Sequence, residues 1–217
     1  MKFLSRTNLT TLLALIIFIL PGLAYDKADN QSLDMKVKKF LENHKYNWHD
    51  LNISEGDGQL LYDIIVKNNY KKALEIGTST GHSTIWIAWA LSKTGGKLVT
   101  IEIEKGRYFK ALDNFKEADL RQYIDARLAD AHQLVPQLKQ QFDFIFCDAD
   151  KNWYKNYLIA LLPKLEVGGC FTAHNVLNKY MYGIEEFVDY LESLPNLETK
   201  IVRSSSSGIS VSYKKFE

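Results

Sequence analysis

The stretch Ala73-Leu-Glu-Ile-Gly-Thr-Ser-Thr-Gly-His-Ser83 decides how this chain folds. Leu74 and Ile76 alternate with their neighbours as in a short strand. Gly77 and Gly81 break that pattern, and Ser83 to Leu91 is apolar enough for a buried helix. A strand, a glycine turn and a helix start leave free backbone N–H groups around a small polar or anionic ligand. Glu102 ends the next apolar run, 25 residues after Gly77. There a carboxylate accepts hydrogen bonds from ribose hydroxyls, so the pair reads as a site for a nucleoside-containing cofactor. Two familiar alternatives fail on the letters. A phosphate-binding P-loop needs Lys and then Ser or Thr after its last glycine, and Gly81 is followed by His82. A dinucleotide fingerprint has three glycines as Gly-x-Gly-x-x-Gly, whereas the spacing here is Gly77-x-x-x-Gly81. The turn suits a cofactor without a pyrophosphate.

Outward from this turn, strands alternate with helices. Strands are expected at Ala73–Ile76, Leu98–Ile103, Ile124–Leu128, Phe142–Cys147 and Cys170–Ala173, with helices at about 82–92, 106–118, 130–139 and 152–164. Helical spacing also marks Leu33 to Tyr46 and Leu60 to Val66. This order implies parallel pairing through right-handed crossovers and a three-layer α/β sheet. The end differs: a helix near Ile184–Leu194 precedes Thr199–Val202 and Ile209–Tyr213, which flank Ser204 to Ser207 and Gly208. That is a hairpin signal, so the final strand is expected to be antiparallel.

The first 24 residues read as a separate segment. Lys2 and Arg6 precede an apolar run from Leu12 to Leu20, then Pro21-Gly22-Leu23-Ala24, the layout of a cleaved signal peptide. The run is short against the roughly 20 apolar residues needed to span a bilayer. An uncleaved N-terminal membrane anchor is the alternative. Residues 25–217 are expected to form a single domain. Without residues 1–24, Lys+Arg and Asp+Glu nearly balance, and no basic block argues for nucleic acid as a partner. The expected location is export, periplasmic or secreted, or attachment to the membrane if the segment stays uncleaved. That sits in tension with a cofactor made in the cytoplasm. Cys147 and Cys170 would lie on the order of 10 Å apart if their strands are parallel neighbours, so two free buried thiols are expected.

Ligands of an open α/β sheet bind beyond the carboxyl ends of its strands. Gly77–Gly81, Glu102, Asp130, Asp148–Lys151 and His174-Asn175 stand there. Asp148, His174 and Asn175 point into one cleft, and a carboxylate, an imidazole and an amide oxygen suit a divalent ion such as Mg, Mn or Fe. Lys151 is a candidate general base. Plainer readings stand beside these: Asp148 and Asp130 as helix caps, His174 as a satisfied histidine at a strand end, Trp153 and Tyr154 as a helix's core face.

Taken together, Leu-Glu-Ile-Gly-Thr-x-Thr-Gly-x-Ser (74–83), Thr-Ile-Glu (100–102), Ala-Asp-Ala (129–131), Phe-Asp-Phe-Ile-Phe-x-Asp-Ala-Asp-Lys-x-x-Tyr (142–154) and Gly-Gly-x-x-x-Ala-x-Asn-Val-Leu (168–177) resemble one family. It is the metal-dependent S-adenosylmethionine O-methyltransferases of the catechol and caffeoyl-CoA type. The resemblance implies a Rossmann-like class I methyltransferase fold, a seven-stranded, mostly parallel sheet whose last strand is antiparallel. It implies that Gly77, Thr78 and Ser83 surround the methionine portion, Glu102 holds the ribose, and Asp130 and Ala131 lie at the adenine. Glu75, Ser79, Gly81 and Asp148 complete the candidate cofactor contacts. Asp148 and Asn175 match metal-ligand positions and Lys151 the base, which would take a proton from an acceptor hydroxyl held by the cation. Two departures stand out. The family has Asp before the Asn, where this chain has His174, which weakens the case for Mg. The family's longer insert is also missing after Leu177, so a more open or differently built acceptor pocket is expected.

The expected activity is methyl transfer to a hydroxyl of a small molecule, by a chain with membrane contact only if uncleaved and a homodimer as one assembly. A non-catalytic S-adenosylmethionine-binding protein that has lost its metal site is the alternative. An oxidoreductase on a nucleotide-binding fold is disfavoured by the glycine spacing.

Overall fold

In the computed structural model, which describes residues 21–217 apart from His49 and Lys179, the apolar runs become seven strands. They are β1 (Lys72–Ile76), β2 (Lys97–Glu102), β3 (Ile124–Leu128), β4 (Phe142–Cys147), β5 (Leu165–His174), β6 (Leu197–Val202) and β7 (Ile209–Lys214). They form one sheet in the order β3-β2-β1-β4-β5-β7-β6. β7 is antiparallel to both neighbours, and the pairings from β3 through β5 are parallel. The expected architecture, including the final antiparallel strand, is what the chain adopts.

The helices are α1 (Pro21–His44), α2 (Glu55–Asn68), α3 (His82–Thr94), α4 (Lys105–Glu117), α5 (Ala131–Gln137), α6 (Tyr154–Leu161) and α7 (Ile184–Ser193). Strand side chains alternate between faces, so each central strand feeds two cores. Leu74, Ile76, Ile145 and Cys147 meet Val135 of α5, Leu158 of α6 and Phe187 of α7. Ala73, Phe144, Phe146 and Cys170 meet Leu61 and Ile65 of α2 and Ile87 and Leu91 of α3. Outside this second layer, Val37 and Phe40 of α1 pack on Trp86 and Trp89 of α3 and on Phe115 of α4. α3 is apolar all round because α1 covers the side that the sheet does not.

Several boundaries move for identifiable reasons. β5 begins at Leu165 rather than Cys170. Gly168 and Gly169 sit where the β4–β5 register shifts at Phe142/Phe144, so the strand bends there and continues. α5 starts one residue later than expected, because Asp130 is its cap and accepts from His132 N at 2.9 Å. The segment at 152–164 is α6 between two short 3₁₀ turns, the second carrying Pro163. α1 begins twelve residues before the expected Leu33. The expected signal segment falls mostly on residues 1–20, outside the described residues. Among the described residues no helix is long and apolar enough to cross a membrane.

Cys147 and Cys170 are free and buried. β4 and β5 pair Cys147 with Ala173 and Phe144 with Cys170, so the thiols are three positions apart along the sheet. They also feed opposite cores.

Candidate active site

The sheet order reverses between β1 and β4, and their carboxyl ends open into a cavity of about 750 Å³. Gly77 follows β1 with φ +97°, and a Cβ there would lie 2.6 Å from the Asp148 carbonyl oxygen. Only glycine lets the two loops approach this closely. Gly81 (φ +96°) is crowded on its far side instead, where a Cβ would meet Phe115 at 2.5 Å. Between them, Ser79 adopts the left-handed conformation at φ 49°.

Glu102, buried at the end of β2, takes this turn in hand. Its carboxylate accepts from Ser79 N at 2.7 Å, Glu104 N at 2.8 Å and Ile103 N at 3.0 Å. Three backbone donors fix the carboxylate, two on Oε1 and one on Oε2, and leave acceptor capacity on Oε2. Asp50, Leu51 and Asn52 close one side. Ser79 Oγ donates to the Asp50 carbonyl at 2.7 Å, and Arg107 grips the Asp50 carboxylate through Nε at 2.8 Å and a second nitrogen at 3.0 Å. Leu51 and Asn52 thereby join the cavity wall.

Of the expected cofactor contacts, Gly77, Ser79, Glu102, Asp130, Ala131 and Asp148 line the cavity. Glu75, Thr78, Gly81 and Ser83 are not among the residues that line it. Glu75 points below the turn and accepts from Ser83 Oγ at 2.5 Å, Thr84 Oγ1 at 2.5 Å and Thr100 Oγ1 at 2.6 Å. Thr78 Oγ1 meets Thr100 Oγ1 at 2.5 Å in the same network. These side chains hold β1, β2 and the start of α3 together, because a buried carboxylate must be satisfied by donors wherever it finds them.

Burial pushes the Glu75 carboxyl up to about 7, against the hydrogen bonds from Ser83, Thr100 and Thr84, from an ordinary value of 4.5. As pH rises from about 4.5 to 7, the unfolded chain releases this proton while the folded chain keeps it. Stability from this group therefore falls over that window, by up to about 3 kcal/mol. Urea unfolding of the wild type and Glu75→Gln at pH 4.5 and 7.5 checks this. The amide variant is expected to gain on the wild type at the higher pH, and parallel profiles would refute the linkage.

On the other side of the cavity four charged groups form a chain. Asp148 follows β4 and His174 ends β5. Lys151 Nζ donates to Asp148 Oδ1 at 2.5 Å, and His174 Nδ1 lies 3.1 Å from Asp148 Oδ2. His174 Nε2 lies 3.2 Å from Oδ2 of Asp57, a fully buried carboxylate in the first turn of α2. Asp57 also accepts from Ser204 Oγ at 2.5 Å and Ser54 Oγ at 2.8 Å. Burial would raise the Asp57 carboxyl, but its bonds from His174, Ser204, Ser205 and Ser54 hold it well below the carboxylate range. Burial would likewise lower the His174 pKa, and the bonds and charges of Asp148 and Asp57 instead push it up to about 9.

This arrangement does not fit the expected metal ligands Asp148, His174 and Asn175. Both ring nitrogens of His174 face carboxylates, so neither offers a lone pair to a cation. Both oxygens of Asp148 are already held by cationic groups. Asn175 reaches the cavity wall from a left-handed backbone at φ 62°, as the one remaining neutral donor of the three. Among the described residues no group of three or more His, Cys, Asp or Glu could hold a metal ion.

Asp57, Ser54 and Ser204 carry no sequence signal that marks them as part of this site. Ser54-x-x-Asp57 is a helix-start pattern, and Ser54 does cap α2, accepting from Asp57 N at 3.1 Å. Nothing local says that this Asp faces inward, 117 residues from His174. Likewise His132, stacked on Trp153 at 3.9 Å, lines the cavity unannounced.

Sheet order, glycine turn and acidic strand end together define a Rossmann-like protein of the seven-stranded methyltransferase class. The chain belongs to the O-methyltransferase family, whose profile matches residues 26–185. Caffeoyl-CoA O-methyltransferase 1 of Eucalyptus globulus is 34% identical over 138 residues, covering 61% of this chain and 56% of that protein. Catechol O-methyltransferase of Niastella koreensis is 34% identical over 131 residues, covering 58% of this chain and 59% of that protein. The chain thus spans a little over half the length of these curated relatives. An O-methyltransferase of Bacillus cereus, solved in complex with SAH, superposes with a TM-score of 0.72 at 26% identity, covering 88% of this chain and 97% of that one.

Proposed function

We propose that this protein is an S-adenosylmethionine-dependent O-methyltransferase acting on a hydroxyl of a small molecule. The observation that carries this reading is the Glu102 carboxylate, fixed by three backbone N–H groups at one end of a cavity that holds Lys151 and Asp148 at the other. When bound, S-adenosylmethionine supplies an electrophilic methyl group on a sulfonium, which leaves as a neutral thioether. The cavity's donors suit that molecule. Glu102 accepts from the ribose hydroxyls, Asp130 and Ala131 flank the adenine, and Gly77 and Ser79 border the methionine end. Asp148 orients Lys151, whose amine form takes the proton from the acceptor hydroxyl at Nζ. The walls hold the acceptor in line with the methyl group.

The closed ion-pair chain at Asp148 favours a second reading as well, a donor-binding protein without catalysis. Both readings require donor binding. Calorimetry with S-adenosylhomocysteine tests that requirement, and absence of binding would end both. Transfer of label from S-adenosylmethionine to hydroxylated aromatics then separates them. Glu102→Ala is expected to weaken S-adenosylhomocysteine binding roughly 10- to 100-fold, the worth of one or two hydrogen bonds to a charged acceptor. An affinity equal to the wild type's would remove Glu102 from the site.

A further inference from the structure

We propose that the Asp57–His174–Asp148–Lys151 chain takes the place of a divalent cation, so that methyl transfer here needs no metal and no second oxygen on the acceptor. The inference rests on the O-methyltransferase reading and deepens it by naming the acceptor class: a compound with a single isolated hydroxyl, such as a simple phenol.

The argument is one of valence and charge. A hard divalent cation is held by anionic oxygens that nothing else neutralises. Around His174 every such oxygen is committed. Asp148 gives one oxygen to Lys151 at 2.5 Å and the other to His174 at 3.1 Å. Asp57 is engaged by His174, Ser54 and Ser204 and is sealed from solvent. With Lys151 protonated, these two carboxylates and two cationic side chains carry no net negative charge to attract an ion, and the amine form that later accepts the acceptor's proton arises by loss of a proton to solvent. An imidazole placed between two carboxylate oxygens must donate from both nitrogens, or one lone pair would face an anion at close range. His174 therefore cannot ligate without breaking from Asp57 or Asp148. Breaking would strand a carboxylate that the surrounding serines alone cannot neutralise.

The commitment is built by remote parts of the fold. Asp57 comes from the first turn of α2, where Ser54 caps the helix, and Ser204 comes from the loop before β7. Two separated segments, α2 and the end of β4, meet one imidazole, and a third holds Asp57 in place through Ser204.

A consequence for the substrate follows. Chelation demands two neighbouring oxygens, because the cation is held to the acceptor through both. Without the cation one hydroxyl suffices. The acceptor O–H bond breaks with its proton going to Lys151 Nζ, the O–CH₃ bond forms, and the C–S bond of S-adenosylmethionine breaks with its electron pair kept by sulfur. No oxidant or further reactant is needed. Lys151, still paired with Asp148, then carries the positive charge until solvent removes the proton.

The test begins with S-adenosylhomocysteine calorimetry on the full chain, which bears only on the donor reading. Mn²⁺ is then titrated into the protein with S-adenosylhomocysteine present, followed by calorimetry and by electron paramagnetic resonance of free Mn²⁺. The wild type is expected to show no saturable binding up to on the order of 1 mM. His174→Asp, which restores an uncommitted carboxylate, is expected to bind Mn²⁺ at least about tenfold more tightly. One ion bound per wild-type chain at micromolar concentration would overturn the inference. So would a folded His174→Asp chain that binds no better than wild type, since the exclusion would then not lie with His174. The wild-type titration decides the matter even if the variant fails to fold. In the transfer assay, EDTA is expected to leave the rate unchanged and a monohydroxyl phenol to rival its vicinal diol. Loss of activity in EDTA, restored by Mg²⁺ or Mn²⁺, would refute the proposal.

Discussion

Replacing Lys151 with alanine is expected to lower kcat for methyl transfer about 10²- to 10⁴-fold, the usual worth of a positioned general base, with S-adenosylhomocysteine affinity essentially unchanged. Lys151 lies on a 3₁₀ turn three residues after Asp148, and its amine is held by that carboxylate and by the face of Tyr154 at 5.1 Å. It is mostly buried and lines the cavity. Removing it leaves the hydroxyl without a proton acceptor and frees one oxygen of Asp148. The carboxylate then keeps only His174 and a long bond from the Tyr154 hydroxyl at 3.4 Å. Single-turnover rates with bound S-adenosylmethionine measure the effect directly. A Lys151→Ala rate within a few-fold of the wild type would remove this residue from the chemistry.

The second large effect is on stability. Asp57→Ala is expected to destabilise the fold by about 3–5 kcal/mol, as when one partner of a buried ion pair is removed. For a domain of this size that is roughly a 10 °C fall in Tm. The buried His174 cation would keep Asp148 alone, and the hydroxyls of Ser54 and Ser204 would lose their acceptor. Asp119→Ala makes the contrast. Its pair with Lys36 at 2.7 Å is half-exposed, and such pairs are worth about 1 kcal/mol or less. Differential scanning calorimetry of the two variants compares them. Equal shifts would mean that the Asp57 pair, despite its burial, carries no special weight.

The core was legible because it is written in short-range patterns. Leu74 and Ile76, Phe144 and Phe146, and Val211 are spaced for strands, and the glycines at 77 and 81 mark the turn wherever the chain places it. The antiparallel end followed from the hairpin signal at Ser204 to Gly208. Where elements were misjudged, a local rule was outweighed by pairing. β5 starts before Gly168-Gly169 rather than after it, because β4 continues the ladder past the pair through a register shift.

The cavity rim was half legible. Gly77, Glu102, Asp130 and Asp148 each follow an apolar run, and any residue there must face the crevice of an open sheet. Which way a side chain turns at that point is a different matter. Glu75 and Ser83 belong to the same motif but point beneath the turn, because the strand pleat sends Glu75 to the α3 side. There three hydroxyls meet it.

By itself, then, the amino-acid order determined the sheet, its mostly parallel sense, the glycine turn and the acidic strand end, since each depends on neighbours within a few residues. Tertiary structure alone decided what His174 does. The side chain stands beside an asparagine in a motif that reads as a ligand pair, and its role changes because α2 brings Asp57 to its far nitrogen. Hydrogen-bond valence is a property of everything within about 3 Å of an atom, and no stretch of sequence records which distant carboxylate folding will place there.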